Sequence, residues 1–164
     1  DKLRKAGAEV EEFDDSIQVR RTGPILPVNV KTMPHPGFPT DMQPQMATML
    51  CCAGGTSIIS EGVWDNRFKY VDELRKMGAN IQVDGKVAVI EGVEQLTGAP
   101  VRALDLRAGA AMLIAGLMAD GCTEVEDIHH IERGYSDLVE KLNRLGADIR
   151  KVTCSDNETE RALS

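Results

Sequence analysis

A chain of 164 residues with 42% hydrophobic side chains is long enough for one ordinary domain with a core of its own. Its formal net charge is −7, and lysines and arginines are scattered among the acids, which speaks against a nucleic-acid surface. The longest uncharged run of the second half, Ala108 to Ala119, is too short to span a bilayer, so no membrane insertion is expected.

The chain opens on "DKLRKAGAEVEE", which lacks the apolar segment of a signal peptide, and a cytoplasmic protein is the expectation. The absence of an initial Met points to a fragment or a processed product. The opening itself reads as the end of an amphipathic helix, a left-handed Gly7 and then a strand. That pattern returns as "DELRKMGANIQV" from Asp72 and as "EKLNRLGADIRK" from Glu140, aligning Leu3, Leu74 and Leu142, and likewise Gly7, Gly78 and Gly146. A period of about 70 residues is too long for a solenoid and fits duplication inside one domain.

The second unit starts with "PVNV" at Pro27, a strand matched by "PVRA" at Pro100. A stiff "PHPGFP" then leads to Asp41, with Thr40-x-x-Gln43 as a capping box and Pro44 in the first helical turn. The helix "DMQPQMATMLCCAGG" is charged only at Asp41, and "LRAGAAMLIAGLMA" from Leu106 carries only Arg107. Helices apolar on all sides are buried on all sides, whereas "YVDELRKM" has to face water. "GGTSIISEGVWDNRF" from Gly54 matches "DGCTEVEDIHHIERG" from Asp120 and sets Arg67 opposite Arg133. "ANIQVDG" and "KVAVIEGV" close a hairpin at Asp84-Gly85. The expected fold is α/β, built of βαβαββ repeats with buried central helices and outer mixed sheets. Residues 1–23 end a truncated repeat, 24–96 form a complete one and 97–164 the last. The buried helices turn their N-termini, with Asp41 and with Asp105 and Arg107, toward one end, a natural anion site.

Cys51, Cys52, Cys122 and Cys154 form no CxxC and no zinc spacing, so they read as reduced and structural. His129 and His130 fall in an expected strand, where their rings would point to opposite faces, which argues against a metal site.

Four stretches, "PHPGFPTDMQPQ", "GTSIISEGVWDNRF", "DLRAGAAMLIAGL" and "HHIERGY", together resemble the UDP-N-acetylglucosamine enolpyruvyl transferase (1-carboxyvinyltransferase) family over most of the chain. The resemblance implies an inside-out α/β barrel with substrates in a cleft between two domains. It implies transfer of the enolpyruvyl group of phosphoenolpyruvate to the 3′-hydroxyl of UDP-N-acetylglucosamine with release of phosphate, the first committed step of bacterial peptidoglycan synthesis. Phosphoenolpyruvate is then a co-substrate, and no cofactor is implied. Only the family's C-terminal stretch is matched. The N-terminal domain with its catalytic-cysteine loop is the implied partner, and no turnover is expected without it. By the same resemblance Asp41 meets the attacking sugar hydroxyl as base or proton relay. The backbone of Val63 contacts the nucleotide sugar. Arg107 and Arg133 meet the phosphate and carboxylate of phosphoenolpyruvate, Asp105 is an acid beside the reacting centre, and Arg67 lines the cleft. Trp64 stands where the family has phenylalanine. Two alternatives are the related enzyme acting on shikimate phosphate and a non-catalytic, truncated paralogue.

Overall fold

The protein is described here by a computed structural model, over residues 1–153; Cys154 lies outside the described residues. The chain divides into two compact units, one from Asp1 to Gly134 and one from Tyr135 onward.

The first unit begins with a short helix α1 (Lys2–Lys5) and an antiparallel hairpin of β1 (Ala8–Glu12) and β2 (Ile17–Arg21). A four-stranded sheet follows, in the order β3-β4-β6-β5. Strand β3 (Val30–Lys31) runs parallel to β4 (Thr56–Ser60). The hairpin of β5 (Asn80–Asp84) and β6 (Val87–Glu91) closes the sheet, turning at Gly85 (φ +55°) as expected. Between β3 and β4 lies α2 (Gln43–Leu50), and between β4 and β5 lies α3 (Val71–Lys76). A second parallel pair, β7 (Pro100–Arg102) and β8 (Glu124–Glu126), flanks α4 (Leu106–Met118), and α5 (His129–Glu132) comes next.

Burial follows charge. In α2, Gln43, Pro44, Met46, Ala47, Thr48 and Leu50 are all buried. Helix α2 packs on α4, whose Ala108, Gly109, Ala111, Met112 and Ala115 are buried; small side chains there bring the two axes close. No polar face opens on α4, but it is not buried on all sides as expected: Leu106, Leu113, Ile114 and Met118 are half-buried and Leu117 is exposed. In α3, Val71 and Leu74 enter the core while Asp72, Arg75 and Lys76 face water. The helix ends also follow the sequence pattern. Gly78 (φ +88°) follows α3, and its N–H bonds back to the Arg75 carbonyl at 3.0 Å, with Ala79 N–H on Leu74 at 3.1 Å. Gly7 and Gly146 hold the same conformation, at +91° and +96°.

Two expectations need correction. The parallel pairs are in one register: Lys31 faces Ser60 and Thr32 N–H bonds to the Ser60 carbonyl at 2.9 Å, while Arg102 faces Glu126 and Ala103 N–H bonds to the Glu126 carbonyl at 3.0 Å. Val30 therefore corresponds to Val101, not to Ala103 as the text match suggested. The ladder decides this and not alternation, since Val28 and Ala103 are buried as well as Val30 and Val101. Second, His129 and His130 are in α5, not in a strand. Strand β8 ends at Glu126, Asp127 turns to φ +58°, and the two rings come together at 4.1 Å.

Cys51 is a core residue. Its Sγ–H reaches the Ala47 carbonyl at 3.3 Å, and burial pushes its thiol up to about 12. Cys52 is half-buried and Cys122 exposed.

In the second unit α6 (Leu138–Arg144) has no buried residue. The carboxamide of Asn143 clamps the chain beyond it, donating to the Ile149 carbonyl at 2.8 Å and accepting from Ile149 N–H at 3.1 Å.

Candidate functional site

The loop before Asp41 is folded back on itself. Met33 N–H bonds to the Phe38 carbonyl at 3.0 Å and Gly37 N–H to the Pro34 carbonyl at 2.8 Å. The chain then makes one 3-10 turn, Thr40–Met42, and runs into α2. That turn displaces the expected capping box. The Gln43 N–H bonds to the Thr40 carbonyl, so the Thr40 hydroxyl is spared to donate to Glu61 Oε2 at 3.0 Å. The Gln43 side chain is in the core, where its Oε1 accepts from the Tyr70 hydroxyl at 2.9 Å.

Asp41 rides on this turn and divides its carboxylate between two guanidiniums. Arg67 Nη2 donates to Oδ1 at 3.1 Å and Arg107 Nη2 to Oδ2 at 2.9 Å. Arg67 follows Asn66, whose φ of +54° is a conformation Asn tolerates, and precedes the buried Phe68 and Tyr70 that anchor the segment. Its side chain is only 20% exposed, and its Nε is buried with no hydrogen-bond partner. Buried donors are ordinarily paired, which sets this nitrogen apart from the two side-chain bonds around it. Arg107 occupies the first turn of α4. The carboxylate of Asp105 caps that helix, accepting from the N–H groups of Arg107 and Ala108 at 2.8 Å each. Asp105 thus works here as a cap that fixes Arg107. One carboxylate thus serves two guanidiniums, groups whose planar forks suit carboxylates and phosphates.

Arg133 is exposed at the C-terminal end of α5. Among the described residues no ion pair or hydrogen bond joins it to Asp41. Its neighbourhood is nonetheless fixed, because Ile131 is buried against α4 at Gly109. Val63 and Trp64 lie on the loop after β4. Their N–H groups are taken by Glu61 Oε1, at 2.8 and 3.1 Å. Trp64 is exposed.

Glu61 was not picked out from the sequence. It is 3% exposed and also accepts from the Thr32 hydroxyl at 2.7 Å. Burial pushes its carboxyl up, but the bonds from Thr32, from the Val63 and Trp64 amides and from Thr40 outweigh burial and hold it below the ordinary carboxylate value. The only cue in the sequence was an acid placed directly after the apolar strand "TSIIS" and before Gly62. Among the described residues, no cluster of three metal-binding side chains forms, and no helix is long and apolar enough to cross a membrane.

A sequence model of the family EPSP synthase (3-phosphoshikimate 1-carboxyvinyltransferase) matches residues 1–142. The chain belongs to this family of enolpyruvyl transferases. Within the family it is 57% identical, over 90% of its length, to the UDP-N-acetylglucosamine 1-carboxyvinyltransferase of Desulfofundulus thermocisternus, of which it covers 61%. It is also 57% identical, over 92% of its length, to UDP-N-acetylglucosamine 1-carboxyvinyltransferase 3 of Caldanaerobacter subterraneus, of which it covers 36%. The fold of the enolpyruvyl transferase NikO of Streptomyces tendae superposes with a TM-score of 0.85 at 37% identity, covering 94% of this chain and 36% of that one. The family fold is therefore the one the buried helices and outer sheets foretold. The chain spans between about a third and three fifths of the length of these relatives.

Proposed function

We propose that this chain forms one wall of the active site of an enzyme that transfers the enolpyruvyl group of phosphoenolpyruvate to the 3′-hydroxyl of UDP-N-acetylglucosamine, releasing phosphate. The observation that carries this reading is the Asp41 carboxylate held between Arg67 and Arg107. The identity to relatives of that name supports the choice of acceptor.

The chemistry is addition followed by elimination. Asp41 takes the proton of the sugar hydroxyl as its oxygen attacks the central carbon of phosphoenolpyruvate, and a second group protonates the methylene carbon. Removal of a proton from the new methyl group, with departure of phosphate from the tetrahedral species, restores the double bond. Arg67 and Arg107, joined by Arg133 from α5, neutralise charge on the transferring group. Val63 offers its carbonyl to the sugar. The remainder of the longer polypeptide supplies the opposite wall, and no cofactor is required. The product feeds peptidoglycan synthesis in the cytoplasm.

The test is phosphate release by the full-length enzyme containing this segment, given phosphoenolpyruvate with either acceptor. Release is expected with UDP-N-acetylglucosamine; release only with shikimate 3-phosphate would overturn the assignment. In the same enzyme Asp41→Ala lowers the single-turnover rate by about 10²–10⁴. Sugar-nucleotide binding weakens by only about 0.5–1.5 kcal/mol, one hydrogen bond. A near-normal rate in a destabilised protein would make Asp41 a structural residue.

A further inference from the structure

Glu61 is a carboxylate withdrawn from water, and its partners are all neutral. Desolvating a charge costs several kcal/mol unless hydrogen bonds replace the lost water. Here those bonds are the hydroxyls of Thr32 (2.7 Å) and Thr40 (3.0 Å) and the N–H groups of Val63 (2.8 Å) and Trp64 (3.1 Å). Among the described residues Glu61 has no ion pair. The Thr32 hydroxyl, in donating to Glu61, also accepts from Gly62 N–H at 2.8 Å, so β3, the loop after β4 and the Thr40–Met42 turn all converge on one side chain.

The related strand pair shows that the fold does not demand this arrangement. Strands β7 and β8 repeat the register of β3 and β4 residue for residue, so Ala103 stands in the place of Thr32 and Asp127 in the place of Glu61. Ala103 has no hydroxyl to give. Asp127 is exposed and lies 3.8 Å from the Arg102 guanidinium. Two parallel pairs are thus built alike, and at this position the carboxylate is buried in the one whose outgoing chain carries Asp41 and exposed in the other.

We propose that Glu61 is a positioning residue: its carboxylate fixes the turn bearing Asp41 against the Val63–Trp64 loop, so that the base and the backbone facing the sugar keep one separation. This rests on the reading of Asp41 as the group that takes the hydroxyl proton. Thr40 is the link on the Asp41 side, since it adjoins Asp41 in the chain and reaches only one oxygen of Glu61. A small misplacement of a reacting group can cost as much as about 100-fold in rate while ground-state binding changes little.

The experiment uses the full-length enzyme with Thr40→Val, Thr40→Ser, Glu61→Gln and Asp41→Ala. Thr40→Val removes one link and leaves the buried carboxylate with its other partners, so the protein folds even if Glu61→Gln does not. The expected result is a fall of about tenfold in kcat for Thr40→Val, with the KM for the sugar nucleotide within about threefold of wild type, and recovery of kcat in Thr40→Ser. If Asp41→Ala is crippled while Thr40→Val loses melting temperature but keeps the wild-type kcat, Glu61 is a structural residue and this proposal alone fails. If Asp41→Ala turns over normally, the base assignment fails and takes the positioning role with it.

Discussion

Glu61 has a pH signature that can be measured apart from turnover. Because its folded carboxyl lies below the ordinary value near 4.5, the ionised form is favoured by folding. Its contribution to stability is fully present above that ordinary value and is lost as pH falls through the lowered one. Glutamine does not titrate. The gap in melting temperature between wild type and Glu61→Gln is therefore expected to narrow as pH drops below about 4.5, whereas a gap constant with pH would contradict the assignment. Single residues were legible in the sequence when they sat in long motifs. Asp41, Arg67 and Arg107 each stood in such a motif, and their meeting at one carboxylate is what the structure adds. Asp105 was read as a reacting-centre acid and is found capping α4. Glu61 escaped notice because burial is a tertiary property, and its counterpart Asp127 is an ordinary surface acid.

At the scale of elements, the docking of α5 on α4 decides where Arg133 goes. A Cβ built on Gly109 would lie 2.5 Å from Ile131 Cγ1 and 3.0 Å from Ala103 Cβ, both in buried side chains. Gly109→Ala gains about 0.5–1 kcal/mol in helix preference. Overpacking costs about 1–3 kcal/mol and wins. A net loss of about 1 kcal/mol, read from chemical denaturation, is the expected outcome; a more stable variant would show that α5 yields freely. Helix and hairpin ends were legible because Gly78 and Gly85 carry their conformation in their identity. The register of β3 against β7 was not, since a two-residue shift keeps every apolar residue on its side and only the ladder distinguishes the choices. Nor was α5: "EVEDIHHI" alternates well enough for a strand, and the left-handed Asp127 that ends β8 has no distinctive spelling.

For the molecule as a whole, the inside-out plan was readable from two helices almost without charge, because such helices have no face to offer water. What this polypeptide does alone follows from the same inventory. The Asp41 cluster offers one proton acceptor and two permanent cations, and a guanidinium is no practical acid. In the proposed reaction, the proton for the methylene carbon has to come from outside the cluster. Residues 1–164 by themselves are expected to release no phosphate above background from phosphoenolpyruvate and UDP-N-acetylglucosamine. Release that scales with the concentration of this polypeptide would contradict that.

The twin grip on Asp41 also sets the terms on which a ligand enters. Arg67 belongs to the segment after β4 and Arg107 to α4, so the carboxylate stitches together two successive parts of the chain. On the proposed function, an arriving anion has to compete with a carboxylate already present for these guanidiniums. A ligand that draws either guanidinium away from Asp41 then also draws on the link between these two parts of the chain.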